Sequence, residues 1–294
     1  MNIMITGASG LLGRACTTAF ADLDPVTCAW SRAQGNDLKL DLTDALAVRA
    51  AFDQIKPDLI IHTAAERKPD ICENRQDLTQ RLNVDATRTI ATCAAEFGAK
   101  MIYISTDYVF DGTQPPYAVD AETNPLNFYG QTKRDGELAT LSASADHIVL
   151  RVPILYGEVE NIEESPVTLM LYKLLNPAPA AEDHWAIRFP TYVGDIAATL
   201  RNGLPTLGKA SGIYHFSGNE ALTKFEMLRI MGEALHLNTE HISANLDPPS
   251  GAPRPKNCRL DLSRLAACTQ LQQTPFSQNI GRILSSYLKG THHA

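Results

Sequence analysis

The first half of this chain alternates short apolar runs with longer amphipathic stretches, and this alternation limits the folds that it can adopt. The apolar runs predict buried strands, and the stretches between them predict helices. Strand–helix–strand units of this length join parallel strands by right-handed crossovers, which leaves a sheet covered on both faces. The predicted strands are Ile3–Ile5, Val26–Trp30, Leu59–Ile61, Met101–Ile104 and Ile148–Leu150; the predicted helices are Leu11–Leu23, Asp44–Ile55, Asn74–Phe97 and Asn127–Leu141.

The pattern changes after Pro153, where prolines become frequent and residues 248–255 read as an extended loop. Further helices are predicted at Val167–Leu175, Asp195–Gly203, Lys224–Leu235 and Gln278–Leu288. We therefore predict an α/β fold: a doubly wound parallel sheet with a smaller C-terminal substrate lobe at the carboxyl edge of the strands, where open sheets bind ligands. Residues 1–155 and about 189–212 are assigned to the sheet domain, and residues 156–188 and 213–294 to the smaller lobe.

A glycine-rich turn directly follows the first predicted strand and opens the first predicted helix. Glycine permits a tight turn and close backbone approach, and the free N–H groups at a helix start can bind a diphosphate. In this context the turn predicts a Rossmann-type dinucleotide site, although an ordinary glycine-rich turn is the alternative. The predicted contacts are Gly7, Ser9, Gly10, Leu11, Leu12 and Gly13.

The end of the second strand bears on which dinucleotide is bound. It reads Trp30-Ser31-Arg32 and lacks the carboxylate that usually accepts hydrogen bonds from the ribose of NAD. Arg32 can form a charge-assisted fork with a 2′-phosphate, and Arg14 could add a second cation. These residues predict NADP(H) as the cofactor; alternatively, both arginines face solvent.

Other segments supply the remaining predicted cofactor contacts. Asp41 suits the adenine amine, although it could instead cap the helix that begins near Asp44. Small residues after the third strand would let the cofactor lie against the backbone, and Arg67 could reach the pyrophosphate or face solvent. The set is Asp41, Leu42, Thr63, Ala64, Ala65, Arg67 and Leu155, together with Tyr129 and Lys133.

Three residues predict carbonyl reduction. Tyr129 and Lys133 are four residues apart and therefore project from one face of a helix. A tyrosine titrates near 10, and an adjacent ammonium and an oxidised nicotinamide would favour its phenolate. Thr106, at the end of the fourth strand, would hydrogen-bond the substrate carbonyl. A surface Tyr/Lys pair is the alternative, but the ordered set of features favours a catalytic site.

These residues resemble the extended short-chain dehydrogenases of the dTDP-4-dehydrorhamnose reductase type. The similarity is carried by the segments 105–113 and 125–133, which contain Thr106, Tyr129 and Lys133. The resemblance implies reduction of the 4-keto group of a deoxysugar nucleotide with a nicotinamide cofactor. Within that family the chain is most similar to the regulatory β subunits of methionine adenosyltransferase, which implies binding to a catalytic subunit of that enzyme. One departure is Ile154-Leu155, because the reductases usually carry Trp there.

Two hypotheses follow: a reductase, which we favour, and an NADP-binding regulatory subunit with little or no catalysis. The net charge of −7 argues against a nucleic-acid partner. Apolar runs are too short to span a membrane, and the first strand begins too early for a leader, which predicts a cytoplasmic protein. The six cysteines have no metal-ligand spacing, so they predict reduced core residues and no metal site. A homo-oligomer is left open.

Overall fold

A seven-stranded parallel sheet forms the centre of the computed structural model, which describes residues 1–29 and 37–291. Its strands are β1 Ile3–Thr6, β2 Val26–Ala29, β3 Leu38–Lys39, β4 Leu59–His62, β5 Lys100–Thr106, β6 Ile148–Val152 and β10 Gly212–His215. Their spatial order is β3-β2-β1-β4-β5-β6-β10, and every neighbouring pair is parallel. This is the doubly wound order of dinucleotide-binding sheets with a seventh strand added, so the predicted fold class is confirmed.

Helices cover both faces of this sheet. On one face, α1 and α8 pack onto the strands through side chains such as Leu12, Cys16 and Ile196. On the other face, α2 and α5 do so through Phe52 and Ile90. The helices of the sheet domain are α1 Leu11–Ala19, α2 Ala45–Ile55, α3 Pro69–Asn74, α4 Gln76–Gln80, α5 Ala86–Glu96, α6 Phe128–Ala143 and α8 Val193–Leu207.

The predicted long helix Asn74–Phe97 is wrong at its start. A separate helix, α3, ends at Asn74, and Arg75 leaves helical geometry with φ −134° and ψ 55°. Helix α4 then passes through a π-helical turn, Arg81–Asp85, into α5. The predicted helix Leu11–Leu23 likewise ends early, at Ala19, followed by a 3₁₀ turn Ala21–Leu23. Other predicted boundaries agree within a few residues; α2, for example, is capped by Asp44, whose carboxylate accepts from the backbone of Leu46.

The C-terminal part of the chain forms a hydrophobic cluster separate from those on the two faces of the sheet. Its largest buried side chains include Tyr156, Met227 and Phe276. The parallel pair β8–β11 lies beside it, and β7 pairs with β9. The elements are β7 Leu155–Tyr156, α7 Leu171–Leu175, β8 Ala180–Asp183, β9 Thr191–Tyr192, α9 Lys224–Leu235, β11 Ile242–Asn245, α10 Ser263–Ala266 and α11 Phe276–Thr291. The predicted division of the chain into domains stays a prediction; β10 carries the sheet on to His215, just past the predicted boundary near 212.

Residues 1–29 and 37–291 contain neither a helix suited to crossing a membrane nor a cluster of side chains suited to a metal ion. Among those residues, no helix combines the length and the apolar character that a membrane crossing requires. They also contain no group of three or more His, Cys, Asp or Glu side chains arranged to hold a metal ion. All six cysteines are free, and five are buried.

Candidate active site

The glycine turn between β1 and α1 has the geometry that a bound diphosphate requires. Gly7 has a φ of +72°, and a Cβ there would lie 2.7 Å from the backbone N of Ala64. A Cβ on Gly13 would lie 2.2 Å from the carbonyl oxygen of Gly7. The helix begins after Gly10 with no side-chain cap and no acidic residue in its first turn. Its N–H groups and its dipole therefore favour an anion.

The turn forms one end of a cavity of about 920 Å³ at the carboxyl edge of the sheet. Every predicted cofactor contact within the described ranges lines this cavity. These residues are Gly7, Ser9, Gly10, Leu11, Leu12, Gly13, Asp41, Leu42, Thr63, Ala64, Ala65, Arg67, Tyr129, Lys133 and Leu155. The predicted contacts Trp30, Ser31 and Arg32 lie outside the described residues. Their proposed role in selecting a 2′-phosphate therefore stays a prediction.

Two charged side chains near the glycine turn, Asp41 and Arg14, form hydrogen bonds or ion pairs within the protein. Asp41 accepts hydrogen bonds from the backbone and hydroxyl of Thr43 at 2.9 and 2.7 Å. Asp41 therefore does not cap α2. Because it lines the cavity, the predicted contact with the adenine amine stays a prediction. The Arg14 guanidinium pairs with the carboxylate of Glu164 at 2.5 Å and donates to the carbonyl of Ser9 at 2.7 Å. Arg14 thus braces the loop around Glu164 instead of facing the cavity.

The three predicted catalytic residues line the same cavity. Helix α6 carries Tyr129 and Lys133, and Asn127 caps this helix by accepting from the backbone N–H of Gly130 at 2.8 Å. Thr106 ends β5, where its side chain lines the same cavity. Lys133 is 3% exposed, and its Nζ lies 4.1 Å from the centroid of the Tyr103 ring. The sheet and one helix therefore present a hydroxyl, a phenol and an amine to one space.

Burial controls the protonation of this set. It raises the pKa of Tyr129 well above its ordinary value, although a hydrogen bond with Thr106 opposes the change. Burial also lowers the pKa of Lys133 to about 7, against the opposing charge of Glu137. In the protein alone, desolvation therefore sets the direction of the tyrosine pKa shift, and the joint effect of the ammonium and a bound oxidised nicotinamide stays a prediction. The phenol stays protonated, which is the form that a proton donor needs.

Behind Lys133 lies a buried polar cluster that fixes α6 against the sheet. Glu137, one turn further along α6, accepts from the Ser105 hydroxyl at 2.5 Å. The same carboxylate pairs with Arg151 of β6 at 2.7 Å, and both side chains are almost fully buried. This cluster joins the helix of Tyr129 to the strand that carries Thr106, so it holds the two halves of the catalytic set in register.

A charged part of the cavity lining was not predicted, and we call it the far end. It consists of Arg188, Lys224 and Arg254, together with the acidic pair Glu182 and Asp183. In the sequence Arg188 lies two residues before Pro190 and Arg254 directly precedes Pro255, and no local pattern predicts that they meet. Their convergence depends on the packing of the C-terminal lobe. Three cations at one end of a cleft suit an anionic group.

Asp107 is another cavity residue to which the sequence analysis assigned no role. It lines the cavity next to Thr106, whose hydroxyl donates to it at 3.2 Å. Burial raises the pKa of this carboxyl to about 7, and the charge of Arg188 opposes the change. Ile154, which stands where the reductases usually carry Trp, also lines the cavity.

Relatives of this chain fall into two groups by name. The sequence matches the RmlD substrate binding domain family over residues 1–289. Methionine adenosyltransferase 2 subunit beta of Xenopus tropicalis is 45% identical over 295 residues, covering 97% of this chain and 87% of that protein. A dTDP-4-keto-6-deoxy-D-glucose reductase of Streptomyces niveus is 31% identical over 233 residues, covering 77% of this chain and 76% of that protein.

Solved structures give the same family. A dTDP-4-dehydrorhamnose reductase from Bacillus anthracis, crystallised in complex with NADP, superimposes with a TM-score of 0.84 at 26% identity, over 97% of this chain and 98% of that one. The fold is also that of a dTDP-4-dehydrorhamnose reductase from Clostridium acetobutylicum, with a TM-score of 0.85 at 24% identity over 98% of this chain and 100% of that one. The chain therefore belongs to the RmlD-like family of extended short-chain dehydrogenases, in which its sequence is related to the methionine adenosyltransferase β subunits.

Proposed function

We propose that this protein is an NADPH-dependent reductase of a 4-keto deoxysugar nucleotide, of the dTDP-4-dehydrorhamnose reductase type. The observation that carries the proposal is that one cavity is lined by the glycine turn, by Thr106, Tyr129 and Lys133, and by the cations Arg188, Lys224 and Arg254. A reductase of this kind needs a cofactor site, a proton donor and a grip on an anionic substrate in one cavity.

The glycine turn supports a dinucleotide at the first end. A side chain at Gly7 would collide with the backbone of Ala64, and one at Gly13 would collide with the carbonyl of Gly7, so the tight turn before α1 requires glycine at both positions. The backbone N–H groups at the start of α1 would hold that diphosphate, and Arg67, which lines the same cavity, would face it. NADPH, when bound, supplies the hydride that reduces the carbonyl carbon. The preference for its 2′-phosphate rests on Arg32 and on the NADP complex of the Bacillus anthracis relative.

The proton comes from the phenol in the cavity. Tyr129 is protonated at neutral pH because its pKa is raised by burial, so it can give its proton to the carbonyl oxygen during reduction. Thr106 holds the same oxygen through its hydroxyl. Lys133, with a pKa of about 7, carries a proton in part of the molecules at neutral pH and then stabilises the phenolate that remains.

The far end supports a nucleotide substrate. Arg188, Lys224 and Arg254 present three cations to the cavity. Burial lowers the pKa of Lys224; the charges of Glu182 and Asp183 oppose this change, and those of Arg188 and Arg254 add to it, so these groups lie within electrostatic range of Lys224. Such a cluster gains stability when it binds a dianion. A sugar nucleotide has its diphosphate next to the sugar, so it can reach Tyr129 and these cations together.

The direct test is consumption of NADPH in the presence of dTDP-4-dehydro-L-rhamnose. Wild-type protein should oxidise the cofactor, and Tyr129→Phe should lose most of this activity while still binding NADPH. The matched control is Tyr172→Phe, since Tyr172 is 53% exposed and lies outside the cavity lining. Tight binding of NADPH by the wild type without turnover of this or related keto-sugar nucleotides would rule out the reductase function.

A second candidate function is supported by one specific observation, the 45% identity to a methionine adenosyltransferase β subunit over almost the whole chain. In this alternative the protein binds a methionine adenosyltransferase catalytic subunit and uses NADP(H) to stabilise its own fold. Mixing the two purified proteins and measuring their joint mass by size-exclusion chromatography tests it. A stoichiometric complex supports this function, and separate elution with and without NADPH counts against it.

A further inference from the structure

A proline-rich loop closes the far end of the cavity. It is the segment 248–255, and three of its residues, Pro249, Ser250 and Arg254, line the cavity wall. Proline restricts φ, so this loop loses less backbone entropy than most when it is ordered. The loop follows β11 and is more than a hundred residues away in sequence from the catalytic helix α6. We refer to residues 248–255 as the substrate loop.

Asp70, on α3, anchors the substrate loop from one side. One oxygen of its carboxylate accepts from the backbone N–H of Ala252 at 2.9 Å, and the other pairs with the Arg254 guanidinium at 2.7 Å. Gly251, immediately before Ala252, has a φ of +91°, and a Cβ there would lie 2.6 Å from the Asp70 carboxylate. Arg254 also donates to the carbonyl of Ala252 at 2.9 Å. The cation is therefore held in place by a folded loop.

Asn127 anchors the loop from the other side, and it also begins α6. Its Nδ2 donates to the carbonyl of Pro253 at 2.7 Å. Its Oδ1 accepts from the backbone N–H of Gly130 at 2.8 Å, which is the cap of the helix. Asn127 is 6% exposed, so both bonds are protected from water. One carboxamide thus joins the loop that carries Arg254 to the helix that carries Tyr129.

We propose that Asn127 is a positioning residue that sets the spacing between Tyr129 on α6 and Arg254 on the substrate loop. The inference rests on the proposed function for the identity of the ligand, a sugar nucleotide held at its carbonyl by the phenol and at its diphosphate by the cation. A rigid link between those two points fixes where the carbonyl lies, and small displacements in such a site reduce both binding and rate.

The variant Asn127→Asp separates this role from helix capping. Aspartate keeps the oxygen that caps α6 and suits the positive end of the helix, but it cannot donate to the Pro253 carbonyl. We expect a melting temperature lowered only by the loss of this one buried hydrogen bond and an unchanged NADPH affinity, with a KM for the sugar nucleotide that rises about tenfold. Hydrogen exchange at the Ala252 amide should become faster. Asn238→Asp is the control for the added charge, because Asn238 is exposed, its side-chain oxygen likewise accepts from a backbone N–H, that of Glu240, and it does not line the cavity.

Asp70→Asn is the second variant, because it loosens the loop without touching α6. It should reproduce the rise in KM, which keeps the test decisive if Asn127→Asp fails to fold. A wild-type KM in both variants would overturn the proposal, even with faster exchange, because the link would then be structural only. If the wild-type protein has no turnover, the proposed function fails by itself; the affinity for dTDP and the Ala252 exchange rate then decide the link, and unchanged values of both would overturn it.

Discussion

Lys133→Met should make the folded protein more stable while it removes activity. Lys133 is 3% exposed, and burial lowers its pKa from 10.5 to about 7. The groups facing it are Glu137 on its own helix, Cys72 on α3, His62 on β4 and the ring of Tyr103 on β5. Of these groups, only the Glu137 carboxylate is negatively charged near neutral pH, and it offsets part of the cost of burying the ammonium.

The sign of the effect follows from proton binding. Between about pH 7 and 10.5 the unfolded chain holds a proton on Lys133 that the folded protein has mostly released, so the wild-type stability rises with pH in this window. Below about pH 7 the folded protein also carries the proton on Lys133, so burial of the charged amine destabilises it fully. Between about pH 7.5 and about pH 9.5, the release of this one proton raises the wild-type free energy of unfolding by about 2 kcal/mol. Methionine has no proton to bind, so the variant lacks this contribution.

Urea unfolding at the two pH values measures the difference directly. The free energy of unfolding of the wild type should approach that of Lys133→Met by about 2 kcal/mol as the pH is raised. Lys209→Met is the control, since Lys209 is exposed, and its profile should run parallel to the wild type. Turnover of Lys133→Met should fall by about a hundredfold or more. Parallel profiles for wild type and Lys133→Met would refute the claim that burial governs this lysine.

Three other substitutions test the remaining parts of the site. Tyr129→Phe should reduce turnover by about a hundredfold to ten-thousandfold with unchanged NADPH affinity, and a calorimetric titration beside the rate assay checks both. Gly13→Ala should abolish NADPH binding, because its Cβ would lie 2.2 Å from the Gly7 carbonyl; wild-type affinity in the same titration would contradict this. Glu137→Leu should lower the free energy of unfolding by about 3–5 kcal/mol, because it leaves Arg151 buried without its partner. The double variant with Arg151→Met should recover much of that loss, and a double variant no more stable than the single one would show that the cluster acts in another way.

The parts of the fold that the sequence predicted correctly depend on local patterns. The strand that ends before Gly7 and the helix that follows it are specified by adjacent residues, and so is the start of α2 at Asp44. Tyr129 and Lys133 share a helix face because of their spacing alone. Their encounter with Thr106 was predictable because the carboxyl ends of parallel strands lie at one edge of the sheet.

Other features depend on contacts between distant segments, which no local pattern specifies. The break at Arg75 and the π-helical turn interrupt a sequence whose helical pattern continues through them. The convergence of Arg188 and Arg254 requires the C-terminal lobe to fold over the sheet. The low pKa of Lys133 likewise comes from desolvation by neighbours on other elements, and the sequence analysis expected only the effect of its charge.

The most direct test of the central claim is transfer of a labelled hydride. The protein is incubated with NADPH that carries deuterium at its transferable position and with dTDP-4-dehydro-L-rhamnose, and the sugar nucleotide is then analysed by mass spectrometry. The account predicts one deuterium in the reduced sugar with wild-type protein and almost none with Tyr129→Phe. Bound NADPH that keeps its deuterium while the keto sugar remains unreduced would contradict it.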